Sequence, residues 1–432
     1  MSDPDQGRDA ARPIPGHYDS PWPAEDGGPR RQLVPRARGM ALAPGERLEV
    51  TSRTVFMANM VVLRAPGEVF LQGSTPPGPD NTAFVERVDP TTLETLARSP
   101  DLATGGEWWP GGIVAHADGC LYVTHGRFCH KLDAGLRLLA SRELPRACAY
   151  NSLLVLSDGN LVMKNIVRDG SMHSFFSVLE PETLQPVGGE VEVPEPSIAR
   201  ISMDAGDGGD MVYVVGERSI FRYRYAAGRL ARDEAWSFDY RRFADAEQSY
   251  GWDPVIADGH AWFMDNGDGV FRQSLRDGGV ASGPLHLVRV SLDDARDAEL
   301  FTPFGVPRGT ITNPPLVDPS RKIVVAYDSG NARLGAFRYA GPGRFAPLWE
   351  HAMGASNHFI LYPDTGEIVV NDYDESAGEH VVVLDIESGR ELGRTAIGSP
   401  VQSVTFQAPG FARDVYCCTF ATLARVFPTL AA

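Results

Sequence analysis

The polar side chains of this 432-residue chain that could do chemistry sit at the ends of short apolar runs. In "ASNHFILYPDTGEIVVNDYD" (355–374), Asn357 and His358 precede one run, and a turn leads to a second run ending in Asn371, Asp372 and Asp374. Elsewhere Glu107, Trp108 and Trp109 precede a pair of runs that returns to His125, and Trp252 and Asp253 precede one that returns to Asp265 and Asn266. Asn59, Asn151, Arg200 and Asn313 hold the same place before other runs. A paired imidazole and carboxylate can hold and move a proton, and a guanidinium can stabilise developing charge. His358, Asp253 and Arg200 are therefore the expected catalytic set. Amide and carboxylate oxygens suit hard cations, so Glu107, Asn151, Asn313 and Asp372 are the expected metal ligands, for Ca²⁺ or another divalent cation. Trp109, Trp252, Asn357 and His125 are the expected substrate-binding residues. Asn and Asp at strand ends also serve as plain turn caps, so everything depends on whether the fold brings these groups together.

The elements that would do so repeat along the chain. "NSLLVLSDGNLVMKN" (151–165), "GGIVAHADGCLYVTHG" (111–126), "GWDPVIADGHAWFMDNG" (251–267) and "NMVVLRAPGEVFLQG" (59–73) share one plan, and looser copies begin at 200, 313 and 401. Each is a short strand, a turn rich in Asp, Pro and Gly, and a second strand rich in Val, Ile and aromatics. A second phrase follows most of them, as in "VERVDPTTLETLARS" and "VVVLDIESGRELGRTAI". Four antiparallel strands every roughly 40 to 60 residues is the period of propeller blades. The sequence predicts an all-β fold, a single β-propeller of eight blades with seven as the alternative. Only "RRFADAEQ" (241–248) reads as a short helix. The last hairpin has three strands, and "ERLEVTSR" (46–53) is expected to supply the fourth and close the ring. In that geometry strand starts and second-strand ends share one face, so the polar groups crowd one mouth of the central channel, while the Asp-Gly turns lie opposite.

Through "VVVLDIESGRELGR" and its copies the chain resembles the quinoprotein-like and YVTN-type β-propellers, over roughly residues 46 to 428. The polar set at the mouth resembles, more weakly, that of gluconolactonase-type lactonase propellers, whose metal is held by a Glu, Asn residues and an Asp. That likeness implies a divalent-metal-dependent hydrolase in which the metal polarises a carbonyl or a water and His358 moves protons. Three other readings stand beside it: a metal-free isomerase or lyase using Asp and His, a protein-interaction propeller, and a quinone-cofactor oxidoreductase. Some quinone-linked dehydrogenases hold their cofactor against a disulfide between neighbouring cysteines, and Cys417–Cys418 raises that comparison. In "DVYCCTF" the two are strand neighbours and point to opposite faces, so free thiols are expected and PQQ is not.

Composition narrows the partners. A formal charge of −16 disfavours nucleic acid or an anionic membrane, which need a basic face. No run of 18 apolar residues occurs, no apolar leader opens the chain, and five cysteines follow no even framework, so a cytoplasmic location is expected. A small-molecule substrate is the expected partner, with a protein partner as an option. Residues 1–43, rich in Pro, Gly and charge, are expected to be a flexible or wrapping tail and 44–432 the propeller.

Overall fold

The computed structural model describes residues 13–430 apart from 169, 207, 243–247 and 268–280. Eight sheets, antiparallel except for the short parallel pairing of Asn357–His358 with Thr405 and Phe406 of the last one, form a ring of blades. Their innermost strands are Met60–Leu63, Pro110–Ala115, Leu154–Val155, Ser202–Gly206, Val255–Ala257, Leu316–Asp318, Ile360–Tyr362 and Thr405–Pro409, for blades 1 to 8 in chain order. Every residue of Met60–Leu63 and of its partner Val69–Ser74 is buried, because a blade packs a neighbour on each face and has no solvent side near the axis. The hairpin turns follow from their residues. Between Val255–Ala257 and His260–Met264 the two loop residues Asp258 and Gly259 have φ of 52° and 70°, the paired left-handed geometry that Asp-Gly supports in a two-residue hairpin.

Blade 8 takes three strands from the C-terminal end and its outermost strand, Glu46–Thr54, from the N-terminal region. That strand runs antiparallel to Thr422–Leu430 in unbroken register, from Glu46 opposite Leu430 to Thr54 opposite Thr422. The eight-blade count and the closing strand are thus as the sequence implies, and the seven-blade alternative is set aside. Closure removes the open edges that a linear array would leave. The short helix expected at 241–248 is not seen in its described part, where Tyr240–Arg242 forms one 3₁₀ turn; residues 243–247 lie outside the described residues.

Residues 14–36 lie along the inside of the channel. Gly16 and His17 meet Ala117 and His116 at the hairpin-turn end of blade 2. Further along, Leu63 donates to Trp22 O (2.8 Å), Ala115 to Pro23 O (2.7 Å), Met203 to Pro29 O (2.7 Å), Ile256 to Arg30 O (2.9 Å) and Leu361 to Leu33 O (2.8 Å). Each of these five donors belongs to the innermost strand of a blade, whose channel-facing edge would otherwise lack partners for its backbone groups. Trp22 and Leu33 are fully buried between the blades and anchor the segment.

The closing strand is held through Leu48, which is 6% exposed and packs with Ile360, Val381 and Val426. Leu48→Ala is expected to lower the unfolding free energy by about 2–3 kcal/mol in urea titration, whereas truncating Glu49, an outward-facing neighbour, leaves it within about 0.5 kcal/mol.

Candidate functional site

The tip of the channel segment is a sharp turn encoded by "PAEDGGPRR" (23–31). Asp26 adopts the left-handed conformation (φ 56°, ψ 21°), and Gly27 and Gly28 follow with φ of 82° and 142°. A φ of 142° is one that L side chains rarely adopt, so the turn needs glycine at position 28. This geometry lifts two carboxylates, Glu25 and Asp26, from the hairpin-turn side toward the mouth.

There they meet the polar ends of the blades. Arg31 Nη1 donates to Asp26 Oδ2 at 2.7 Å and lies 3.0 Å from Glu25 Oε2 and 3.9 Å from Asp253 Oδ2. Arg200 Nε lies 3.1 Å from Glu25 Oε1. The remaining guanidinium of Arg200 donates to Gly111 O (2.6 Å), Asn151 O (2.8 Å) and Pro110 O (3.0 Å), which ties blades 2, 3 and 4 together. Asp253 Oδ1 accepts the Arg200 backbone N–H at 2.5 Å. His358 Nδ1 pairs with Asp26 Oδ1 at 2.7 Å, and its ring stacks on Phe406 with centroids 4.4 Å apart. Three carboxylates thus face two guanidiniums and one imidazole, all buried but for the slightly exposed Glu25, where unpaired charge would be costly.

The carboxylates are driven in opposite directions. Burial pushes Asp26 up, but His358 and Arg31 outweigh it and hold the carboxyl below its ordinary range. For Asp253 burial wins over Arg31 and Arg200, and its pKa is raised. Behind the cluster, burial lowers Lys164 to about 7; its Nζ donates to the backbone oxygens of Asn165 (2.9 Å) and Ser197 (3.1 Å).

Above the cluster the mouth opens as a cavity of about 470 Å³ of empty space, open solvent at its entrance included. Arg200, Asp253 and His358 all line it, as do Trp109, Trp252 and Asn313. The other positions do not share it. Asn357 is fully buried with its amide on Gln407, and His125 is fully buried with no partner for either ring nitrogen among the described residues. Asn151 is buried and donates to Ile198 O. Asp372 spends its oxygens on the Gly354 N–H (2.8 Å) and Arg394 (2.7 Å), and Glu107, the neighbour of Trp108, does not line the cavity. Glu107, Asn151, Asn313 and Asp372 therefore form no common ligand shell. The acidic partners that do converge, Glu25 and Asp26, come from the segment that sequence reasoning set aside as a tail. Its signal was an acidic pair and an arginine pair flanking Gly-Gly-Pro, beside a lone Trp.

Among the described residues one trio could hold a metal ion, Glu25, Asp26 and His358, with ligand atoms within 4.8 Å of one another. Arg31 already bonds or contacts both of its carboxylates, so a dication there would have to displace or face a buried guanidinium. Cys417 and Cys418 are free thiols on opposite faces of their strand, one packed with Val381 and the other with Phe406, and burial raises both pKa values. As free thiols they form no disulfide platform, while at the trio a dication would compete with Arg31 for the two carboxylates.

No protein-family model and no curated protein matches the chain. Solved structures do. A quinohemoprotein alcohol dehydrogenase from Comamonas testosteroni superposes with a TM-score of 0.65 at 11% identity, covering 99% of this chain and 82% of that one. This chain has the quinoprotein-like eight-bladed propeller fold. A europium-containing methanol dehydrogenase (TM-score 0.60, 10% identity, 96% and 91% covered) and the WD40 domain of SCAP from fission yeast (0.50, 8%, 89% and 98%) share the propeller architecture. Identities this low concern the fold alone. No helix among the described residues is long and apolar enough to cross a membrane.

The buried lysine has a signed pH consequence. Its ordinary pKa of 10.5 falls to about 7 in the folded protein, so between those values the unfolded chain binds a proton that the folded chain does not. Stability should rise with pH through that window. Between pH 7 and 9 the wild type is expected to gain on the order of 2 kcal/mol over Lys164→Met in paired urea titrations.

Proposed function

We propose that the protein is an enzyme that acts on a small molecule at the channel mouth by metal-free proton transfer, of the isomerase or lyase class. The observation that carries this reading is the Asp26–His358 pair at the cavity floor. An ionised Asp26 can only accept, so the imidazole donates to it through Nδ1–H, which leaves Nε2, 3.9 Å from Glu25 Oε1, as the nitrogen that would exchange a proton with substrate. Stacking on Phe406 fixes the ring plane. Asp253, whose pKa burial raises, lines the same cavity and suits the acid role, returning a proton to the intermediate. Opposite pKa shifts on neighbouring carboxylates are the pattern by which acid and base roles separate. Asp26 acts as a positioning residue, and the one Arg200 N–H without an assigned acceptor can stabilise a developing oxyanion.

The metal-dependent, lactonase-type hydrolase is the second reading, favoured by the close approach of Glu25, Asp26 and His358. Charge balance supports the first, since Arg31 and Arg200 already neutralise the carboxylates that a Ca²⁺ ion would need.

Lactones and carbonyl compounds with an acidic C–H can be screened by NMR in D₂O, with and without EDTA. Turnover or proton exchange unaffected by EDTA, and lowered about 10²- to 10⁴-fold in His358→Gln, is the expected result. A rate that survives His358→Gln, or one that EDTA abolishes and Ca²⁺ restores, sinks the acid–base reading. Asp26→Asn should move the ring proton away from Nδ1, seen as exchanged imidazole ¹⁵N shifts, and should destabilise the fold by about 3–5 kcal/mol, because Arg31 loses a buried partner.

A further inference from the structure

Resting on the reading that this cavity receives a small molecule, we propose that its ligand has a flat aryl body with a single polar head, and is neither a sugar nor a phosphate ester. The rings of Trp108, Trp109, Trp252, Phe406 and Phe420 supply most of the wall. Trp108 meets Trp109 at 88° and Phe420 at 71°, with centroids 6.5 and 6.4 Å apart, so the rings stand as crossed walls and do not fill the space by stacking on one another. Such walls favour an aromatic plate, which gains edge and face contacts together.

Most polar groups of the cavity are spent, the exception in the wall being the Trp108 indole N–H, which has no hydrogen-bond partner among the described residues. Asn313 Nδ2 donates to Ser356 O at 3.0 Å, and Thr312 Oγ1 pairs with the Tyr327 hydroxyl at 3.3 Å. Arg200 gives three donors to backbone oxygens and faces Glu25 with a fourth, and Arg31 is committed to Glu25 and Asp26. A polyol would bury several hydroxyls against rings that offer the Trp108 indole N–H as a donor and little else, at about 1–3 kcal/mol for each hydroxyl left unpaired. A phosphate would need a guanidinium free to bind it. One polar head is what the floor can serve, at His358 and Asp253.

Two exposed apolar side chains, Phe56 and Val401 (48% and 44% exposed), lie in loops joined to that of Phe420. Met57 donates to Phe420 O at 2.8 Å and Phe420 N–H reaches Ser403 Oγ at 3.4 Å.

Calorimetric titration of the full chain with 2-naphthol, D-glucose and inorganic phosphate tests the assignment. Saturable one-to-one binding of 2-naphthol is expected, weakened about tenfold in each of Trp108→Ala and Phe420→Ala, with no heat from glucose or phosphate. Both side chains are partly exposed, and near-UV circular dichroism verifies that the variants keep the fold. Absence of 2-naphthol binding, binding indifferent to both substitutions, or saturable binding of glucose or phosphate overturns the ligand class. The two claims separate cleanly: naphthol binding combined with a His358→Gln variant of unchanged rate leaves the ligand class standing and removes the acid–base reading, and the reverse pair of results does the opposite.

Discussion

A cluster of buried charge holds the centre of this molecule together. Arg31, carried on the channel segment, faces Asp26, Glu25 and Asp253, while Arg200 reaches from blade 4 to blades 2 and 3. None of these groups tolerates burial alone, because an unpaired charge in a medium of low dielectric costs several kcal/mol. Each is therefore tolerable only when the others are in place. The channel segment sits where it does because the blades supply its counter-charges, and the blade ends are poised as they are because the segment supplies theirs. Hydrogen bonds from five inner strands then fix the segment along its length.

This mutual dependence separates two kinds of polar residue at the mouth. Arg200 contributes most of its donors to backbone carbonyls and works mainly as a brace between blades. His358 is hydrogen-bonded through one nitrogen and stacked on one ring face, and its second nitrogen lies 3.9 Å from Glu25 Oε1, which together orient the imidazole. Packing has fixed the orientation before any ligand arrives, as a preorganised site requires. The aromatic rim then limits what can approach, so polarity is concentrated at the floor and dispersion forces dominate the walls.

Much of the architecture was legible in the sequence because hairpin periodicity is a local signal. Paired runs of Val, Ile and aromatics around Asp-Gly turns specify blades one at a time, and the shortage of a strand in the last blade pointed to Glu46–Thr54. The convergence of His358, Asp253 and Arg200 followed from strand direction, since inner strands all start on one face. Two things escaped that logic. Strand-end position does not say which way a side chain points, and Asp372 and Asn151 turned to nearby partners, Arg394 and Ile198 O. The role of Glu25 and Asp26 was hidden for a different reason. A segment with neither helical nor strand period carries no local mark of burial, and its order comes from contacts such as Asp26 with His358, 332 residues away in sequence.

The strand Glu46–Thr54 has a consequence for biosynthesis. Both the closing strand and the charged tip are synthesised well before their partners at Thr422–Leu430 and His358. Early blades can fold as they emerge, because their pairings are short-range. The His358 imidazole can meet Asp26 only after the blades between them have been made. Fragments that stop short of His358 would lack both the closed ring and that buried contact.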